Sequence, residues 1–433
     1  MSDPKGSGMY LPRTWPVGIS LLTDESFSSW FARIAWAHGA TPSELYRIAL
    51  PGARIGGVDL DRHACDELLY NLSRNAGVAA AELETRTIRR WRGSVYGTDD
   101  GKTPIPWLPP AGRAYARSSF GQQVCPSCLA QDAEPYFRTS WRLSFYCVCT
   151  EHRQMLVDRC PGCAHPLHPS NVITGASLAL CGFCSFDLRS IAAPKVPERE
   201  LTAQVRLLKI ADGDWQPMGN YGPVHPVLFF RLFALLYRLV SSGRHALPLR
   251  RLLMSNADNV RAEAIPRIRE IDRHPARIRH QLVGLAWQLA QDWPNRFVAA
   301  CDAVGLHRWL LVKEPAVVPF VYADAVSQHL VRQMHHVGAE EVDTASRYLS
   351  SSGQAPTYEA LKGVLGVKFH AARKLAAPVK PHKAYGTHRY WKLDGVSPAT
   401  RAAVKKAAHK AGENVGSWVD LALQTALKTH SKR

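Results

Sequence analysis

The sequence predicts a mainly α-helical, multidomain protein with a metal-stapled segment in its middle, and three observations carry that reading. At 433 residues the chain is too long for one compact core. Apolar residues recur at helical spacing through most of its length, punctuated by proline and glycine. Between Cys125 and Cys184, cysteine and histidine fall into four pairs, each separated by two residues. The boundaries that follow are an N-terminal helical, helix-turn-helix-like domain over residues 1–120 and a tandem zinc-finger or zinc-ribbon region over 121–192. A helical scaffold over 193–340 follows, then a second helix-turn-helix-like segment over 341–380 and a basic strand-helix-helix tail over 381–433.

Residues 24–50 read as two helices. Asp24 or Ser26 caps the first, and Phe27, Trp30, Phe31, Ile34 and Ala35 recur along one face. Gly39 breaks the pattern and Thr41-Pro42 opens the second helix. The spacing of Ala35, Gly39 and Leu45 suits a helix-turn-helix, and equally two packed helices with no DNA role. Further on, RTIRRWR (Arg86–Arg92) is either a clamp for a nucleic-acid backbone or a solvated face with Trp91 turned inward.

The four pairs are Cys125/Cys128, Cys149/His152, Cys160/Cys163 and Cys181/Cys184. Two thiolates on one tight turn converge on a point, and a second pair completes a tetrahedron. Pro126 and Pro161 stiffen two of the turns, while Gly162 and Gly182 admit unusual backbone angles in two. Short, unthreaded connections favour joining the first pair to the second and the third to the fourth over a crossed arrangement. Two Zn2+ per chain are therefore expected. Four donors leave no open position for water, so both ions read as structural. Cys147 competes with Cys149, which alone keeps the two-residue spacing to His152. Cys65 and Cys301 have no partners and read as buried small hydrophobes.

The scaffold shows helical patterns at Leu201–Ile210, Val224–Val240, Ile278–Gln291 and Val317–His336. Its longest apolar run, Val227–Val240, is interrupted by Arg231 and Arg238 and reads as a core helix, too short to cross a bilayer. The first residues carry no apolar leader-like stretch. The expectation is a cytoplasmic, nucleoid-associated bacterial protein without membrane contact.

The formal charge of +18 is unevenly spread, since residues 345–433 hold 16 Lys+Arg against 4 Asp+Glu. A field of that sign attracts phosphate backbones, so DNA is the expected partner. A helix through Tyr348 ends at Ser350–Gly353, and Thr357 caps the next. Leu361, Leu365, Val367, Ala372 and Leu375 supply a helix-turn-helix core around Gly366, with Lys362 an awkward fit. The second helix would present Lys368, His370, Arg373 and Lys374 to DNA. THRYWKLDG then alternates as a strand, Ser397-Pro398 starts a helix to Lys410, and Asn414 begins another. Strand, helix and helix suggest a ribbon-helix-helix module, and equally a two-helix C-terminal cap; the DNA-reading roles follow from the first. That module dimerises, reads bases with His388, Tyr390 and Lys392, and holds a phosphate on the amides near Asn414.

The stretches DESFSSWFARIAWAHGATPSELY (24–46), CPSCLAQDAEPYFRTSWRLSFYCVCTEHRQMLVDRCPGC (125–163) and DWPNRF (292–297) resemble the TniQ/TnsD family of transposition target selectors, over roughly residues 15–300. Cys147 stands where an apolar residue is expected, and the tail reads as an added module. The resemblance implies a non-catalytic adaptor rather than an enzyme. Such an adaptor recognises an attachment site on DNA, or docks on a CRISPR effector complex, and recruits an AAA+ ATPase and then the transposase. The alternatives are a zinc-containing DNA-binding transcription regulator and, more remotely, a zinc enzyme.

Overall fold

The computed structural model describes residues 15–52, 59–111, 122–254, 259–312, 318–331, 337–366 and 397–430. The chain divides into two compact units, Met1–Arg332 and Gln333–Arg433. The architecture is mainly α-helical, and the one sheet among the described residues is a short antiparallel pair.

The first unit opens with α1 (Phe27–Ala37), α2 (Pro42–Ala49), α3 (Leu60–His63), α4 (Asp66–Ala76) and α5 (Ala80–Thr85). Ser26, rather than Asp24, caps α1: its hydroxyl accepts from the Ser29 amide. Thr41 and Glu44 form a reciprocal capping box on α2 behind Pro42. Gly39, at φ +69°, makes the turn between them. Every residue of α1 from Phe27 to Ala35 is buried, so only α2 offers an outer face. Phe27, Trp30, Phe31, Leu45, Leu68 and Leu72 form the local core.

The segment from 122 to 197 has little regular structure beyond α6 (Pro126–Gln131) and a few 3-10 turns. The scaffold follows as α7 (Thr202–Ala211), α8 (Pro226–Ser241), α9 (Ala246–Leu253), α10 (Asn259–Ala264), α11 (Ala276–Ala290), α12 (Asn295–Ala303), α13 (Arg308–Leu311) and α14 (Phe320–His329). Between α7 and α8, β1 (Gln216–Pro217) pairs with β2 (Pro223–Val224). The apolar run expected to be a core helix is α8, packed along α11. Phe145 of the metal-hook segment stacks on Phe230 of α8 at 5.5 Å, and Trp107 stacks on Phe233 at 5.1 Å. The Trp107 indole also donates to the Phe230 carbonyl at 3.0 Å. One continuous core therefore joins the hooks to the scaffold. The helix expected over Val317–His336 is shorter: it starts after Pro319 and ends at His329, where Leu330 leaves helical geometry. Among the described residues no single helix is long and apolar enough to cross a membrane.

A buried polar joint fastens the N-terminal helices to the hook segment. Arg142 is fully buried and contacts Asp59 and Asp61, each at 2.7 Å. Asp61 also accepts from the Ser28 amide and hydroxyl, and Asp59 from the Ala111 amide. Burial alone would raise the Asp59 carboxyl, but the Arg142 charge and its hydrogen bonds outweigh that and hold it below its ordinary value of 3.8. Beside it, Arg33 bridges buried Glu25 at 2.8 Å and Glu134 at 2.7 Å. The Ser26 amide donates to the Phe137 carbonyl, and the Ser29 hydroxyl accepts from the Phe137 amide.

In the second unit, α15 (Ala339–Ser351) packs on α16 (Tyr358–Leu365) through Val342, Ala345, Leu349 and Leu361. Thr357 caps α16, and Gly366 ends it at φ +68°. Lys362 resolves its awkward fit by lying on the surface and pairing with Glu359 at 2.9 Å. Val367, Ala372 and Leu375 lie outside the described residues, as does the expected strand THRYWKLDG. Further on, α17 (Pro398–Lys410) and α18 (Val415–His430) pack together around Ala408. Ser397 caps the first, and the Asn414 side chain accepts from the Ser417 amide to cap the second.

Arg142→Ala strands two buried carboxylates, and urea unfolding at pH 7 is expected to show a loss of about 3–5 kcal/mol. In the native protein the Asp59 contribution is complete above 3.8 and is lost as pH falls through its depressed folded value. In the variant the deficit should narrow as pH falls and the stranded carboxylates take up protons. A deficit that does not change with pH would assign the loss to packing instead.

Candidate metal centres

The eight hook residues gather into two clusters, Cys125/Cys128/Cys149/His152 and Cys160/Cys163/Cys181/Cys184, each with its donor atoms within 4.8 Å of one another. The first pair thus faces the second, and the third faces the fourth. Cys147 belongs to neither. Its thiol is fully buried, donates to the Ser144 carbonyl at 3.2 Å, and is pushed up to about 11 by burial.

Three of the four hooks share one backbone turn. The amides of Cys149, Cys160 and Cys181 donate to the carbonyls of Gln154, His165 and Phe186, each five residues on. The amide four residues on then donates back to the cysteine carbonyl, at Arg153, Ala164 and Ser185. Those three residues take left-handed φ values of +48°, +57° and +58°. The unusual backbone angles therefore sit just beyond each hook, not at Gly162 or Gly182. Gly182 is required for another reason: a Cβ there would lie 2.3 Å from the Asn171 carbonyl oxygen. The Cys125/Cys128 hook differs, because Cys125 precedes α6 and Pro126 occupies its first turn.

The donor geometry suits a small tetrahedral cation. A metal–sulfur bond of about 2.3 Å gives a tetrahedral edge of about 3.8 Å between sulfurs, and about 3.6 Å from sulfur to an imidazole nitrogen. The first cluster has Cys128–Cys149 at 3.6 Å and His152 Nδ1 at 3.3 to 3.6 Å from its three sulfurs. The second has Cys160–Cys184 at 3.5 Å and Cys163–Cys181 at 3.7 Å. His152 Nε2 meets Gln131 Oε1 at 2.8 Å, which places the proton on Nε2 and leaves Nδ1 free to ligate. Gln131 ends α6 and has no spacing signature of its own, so sequence reasoning missed it. Hydrogen bonds with Cys125 and Cys128 push the Cys149 thiol well below its ordinary value, while those with Cys125 and Cys149 push Cys128 well above it. A divalent cation bound there would displace the thiol protons.

The two clusters differ in exposure. In the first, all three cysteines are buried; in the second, Cys163 is half-buried and Cys184 exposed. Cys301 is buried as expected, whereas Cys65 is only half-buried, at the start of α4.

The candidate DNA-contacting residues Lys368, His370, Arg373, Lys374, His388, Tyr390 and Lys392 lie outside the described residues. Asn414 is exposed, and its own side chain already occupies the Ser417 amide. The Arg86–Arg92 cluster is tied into the structure rather than offered to a ligand. Trp91 is buried, Arg89 pairs with Asp66, and Arg90 meets Asp24 at 2.7 Å.

Fold and clusters together define a helical protein with two thiolate-rich clusters that could each hold a metal ion. Residues 16–156 match the TniQ family. The match takes in the N-terminal helices, the buried joint and the whole first cluster, and stops short of the second. The TniQ domain occurs in transposition target-selection proteins, and the family acts as non-catalytic adaptors. No curated protein matches the chain.

The exposed cluster should release its ion first. With a chromogenic chelator, zinc release is expected in two phases of one ion each. Gly182→Ala should remove the fast phase and leave the slow one. A single phase of two ions, or an unchanged pattern in Gly182→Ala, would contradict this ordering.

Proposed function

We propose that this chain selects target sites in DNA transposition without catalysing a chemical step. It binds target DNA, or docks on a CRISPR effector complex, and recruits an AAA+ ATPase that brings in the transposase. The observation that carries this reading is the TniQ match over residues 16–156, which covers the two stretches joined by the buried Arg142 network. Both centres hold zinc in a structural role. Each offers four donors, seven of the eight being cysteine sulfurs, and a complete tetrahedron leaves no coordination site for water.

In this reading the five segments 1–120, 121–192, 193–340, 341–380 and 381–433 divide the work. The metal-stapled middle and the scaffold form a rigid frame, and the basic C-terminal segments face DNA. Lys368, His370, Arg373 and Lys374 contact one groove, and His388, Tyr390, Lys392 and the amides near Asn414 contact another as part of a dimeric ribbon. The protein works in the cytoplasm on the nucleoid.

The test is binding of the full chain to a random-duplex library at physiological salt, without nucleotide or divalent ions, together with co-purification with an AAA+ ATPase. A preferred sequence plus a partner complex is expected. No preferred sequence and no partner complex would end the reading. Repression of its own promoter without any effect on insertion would select the transcription regulator instead.

A further inference from the structure

A second concentration of positive charge lies in the scaffold, far along the sequence from the basic tail. Residues 231–280 contain 11 Arg and no Lys against 4 Asp+Glu, a net of 11 − 4 = +7. Some of these arginines are used internally. Arg250 is fully buried and donates to the Val240 and Ile265 carbonyls, and Arg279 is buried against Gln123 and Asp158. Arg251 pairs with Glu263.

Arg238, Arg267, Arg269, Arg273 and Arg277 are different. All five are exposed, and none makes an ion pair within 4.0 Å among the described residues. Arg250 brings two parts of this stretch together. Its two hydrogen bonds fasten the C-terminal end of α8 to the connector that carries Arg267 and Arg269. The resulting proximity is unfavourable in the free protein. Burial first, and then the charge on Arg269, holds the Arg238 guanidinium below its usual value. Arg250 is lowered in the same way by burial and then by Arg267. Glu270 and Asp272 offset part of the charge but leave the stretch strongly positive.

We propose that Arg238, Arg267, Arg269, Arg273 and Arg277 form a binding surface for the phosphate backbone of duplex DNA. The proposal rests on the DNA-binding reading above and adds to it a contact surface outside the C-terminal segments. The five arginines are spread from α8 through the connector to the first turn of α11, so they offer several separate contacts, which suits a row of phosphates better than a single anion. A polyanion relieves their mutual repulsion and gains from counterion release. Guanidinium forks match phosphate oxygens in pairs, which a lysine ammonium cannot do.

The experiment measures duplex binding by the full chain across a salt series, comparing wild type with Arg238→Gln/Arg267→Gln/Arg269→Gln. Each phosphate contact contributes about 0.9 to the slope of log K against log salt, so the slope should become shallower by about 2 to 3. Affinity near 0.15 M salt should fall on the order of 10- to 100-fold. A control, Arg90→Gln/Arg189→Gln/Arg206→Gln, removes the same charge from ion-paired positions and should leave the slope unchanged. Thermal melting of all three proteins establishes that each is folded. If wild type binds and the patch variant keeps its slope, or the control loses as much, this surface is refuted while the target-selector reading stands. If wild type binds no duplex at all, this surface falls together with the direct DNA-binding form of the selector reading, while the adaptor reading stands or falls on the ATPase partner complex. A surface that prefers single-stranded RNA to duplex also overturns the proposal.

Discussion

A single guanidinium in a dry interior governs how this protein is put together. Arg142 has no exposure to solvent and is met by Asp59 and Asp61, both equally buried. Charges of this kind are tolerated only when each is compensated by a partner in fixed geometry. That requirement ties the helices before residue 77 to the hook segment, because the acids come from one and the arginine from the other. The neighbouring Glu25–Arg33–Glu134 bridge repeats the arrangement closer to the surface. The stretches that carry the family resemblance, DESFSSWFAR and EPYFRTSWR, are thus complementary halves of one joint. Their residue types are explained by packing before any ligand is invoked.

The first metal cluster acts on that joint. The strap Glu134–Arg142 lies between Cys128 and Cys149, so closing the cluster shortens the loop that delivers Arg142 to its acids. A cation bound there would add a restraint to a segment that has little regular structure of its own. Phe145, between strap and hook, then enters the aromatic core on α8. The metal site, the charged joint and the hydrophobic core are successive positions on one short piece of chain.

Charge at the surface has a different distribution from the one composition suggests. The RTIRRWR cluster contributes to the net charge but is largely consumed by Asp66, Glu84 and Asp24. Exposed Arg238, Arg267, Arg269, Arg273 and Arg277 lack such partners among the described residues. Formal charge counts both alike; only neighbours distinguish an arginine that holds the fold from one that is available to a phosphate.

Much of this was legible from the chain alone. The eight hook positions, the caps at Ser26, Thr41, Thr357, Ser397 and Asn414, and the helical class follow from local rules. A cap or a hook is decided by residues within a few positions of one another. The core role of Val227–Val240 was also visible, because periodicity reports burial directly. Other features needed the tertiary structure. Nothing in the spacing of Asp59, Asp61 and Arg142 announces that they meet across roughly eighty residues. Gln131 behind His152, the left-handed residues beyond three hooks, and the space that Gly182 must leave empty were equally hidden. Local sequence determined which pieces form and how each begins and ends. Which charges face each other, and which stay free for a partner, was settled only when distant segments were brought into contact.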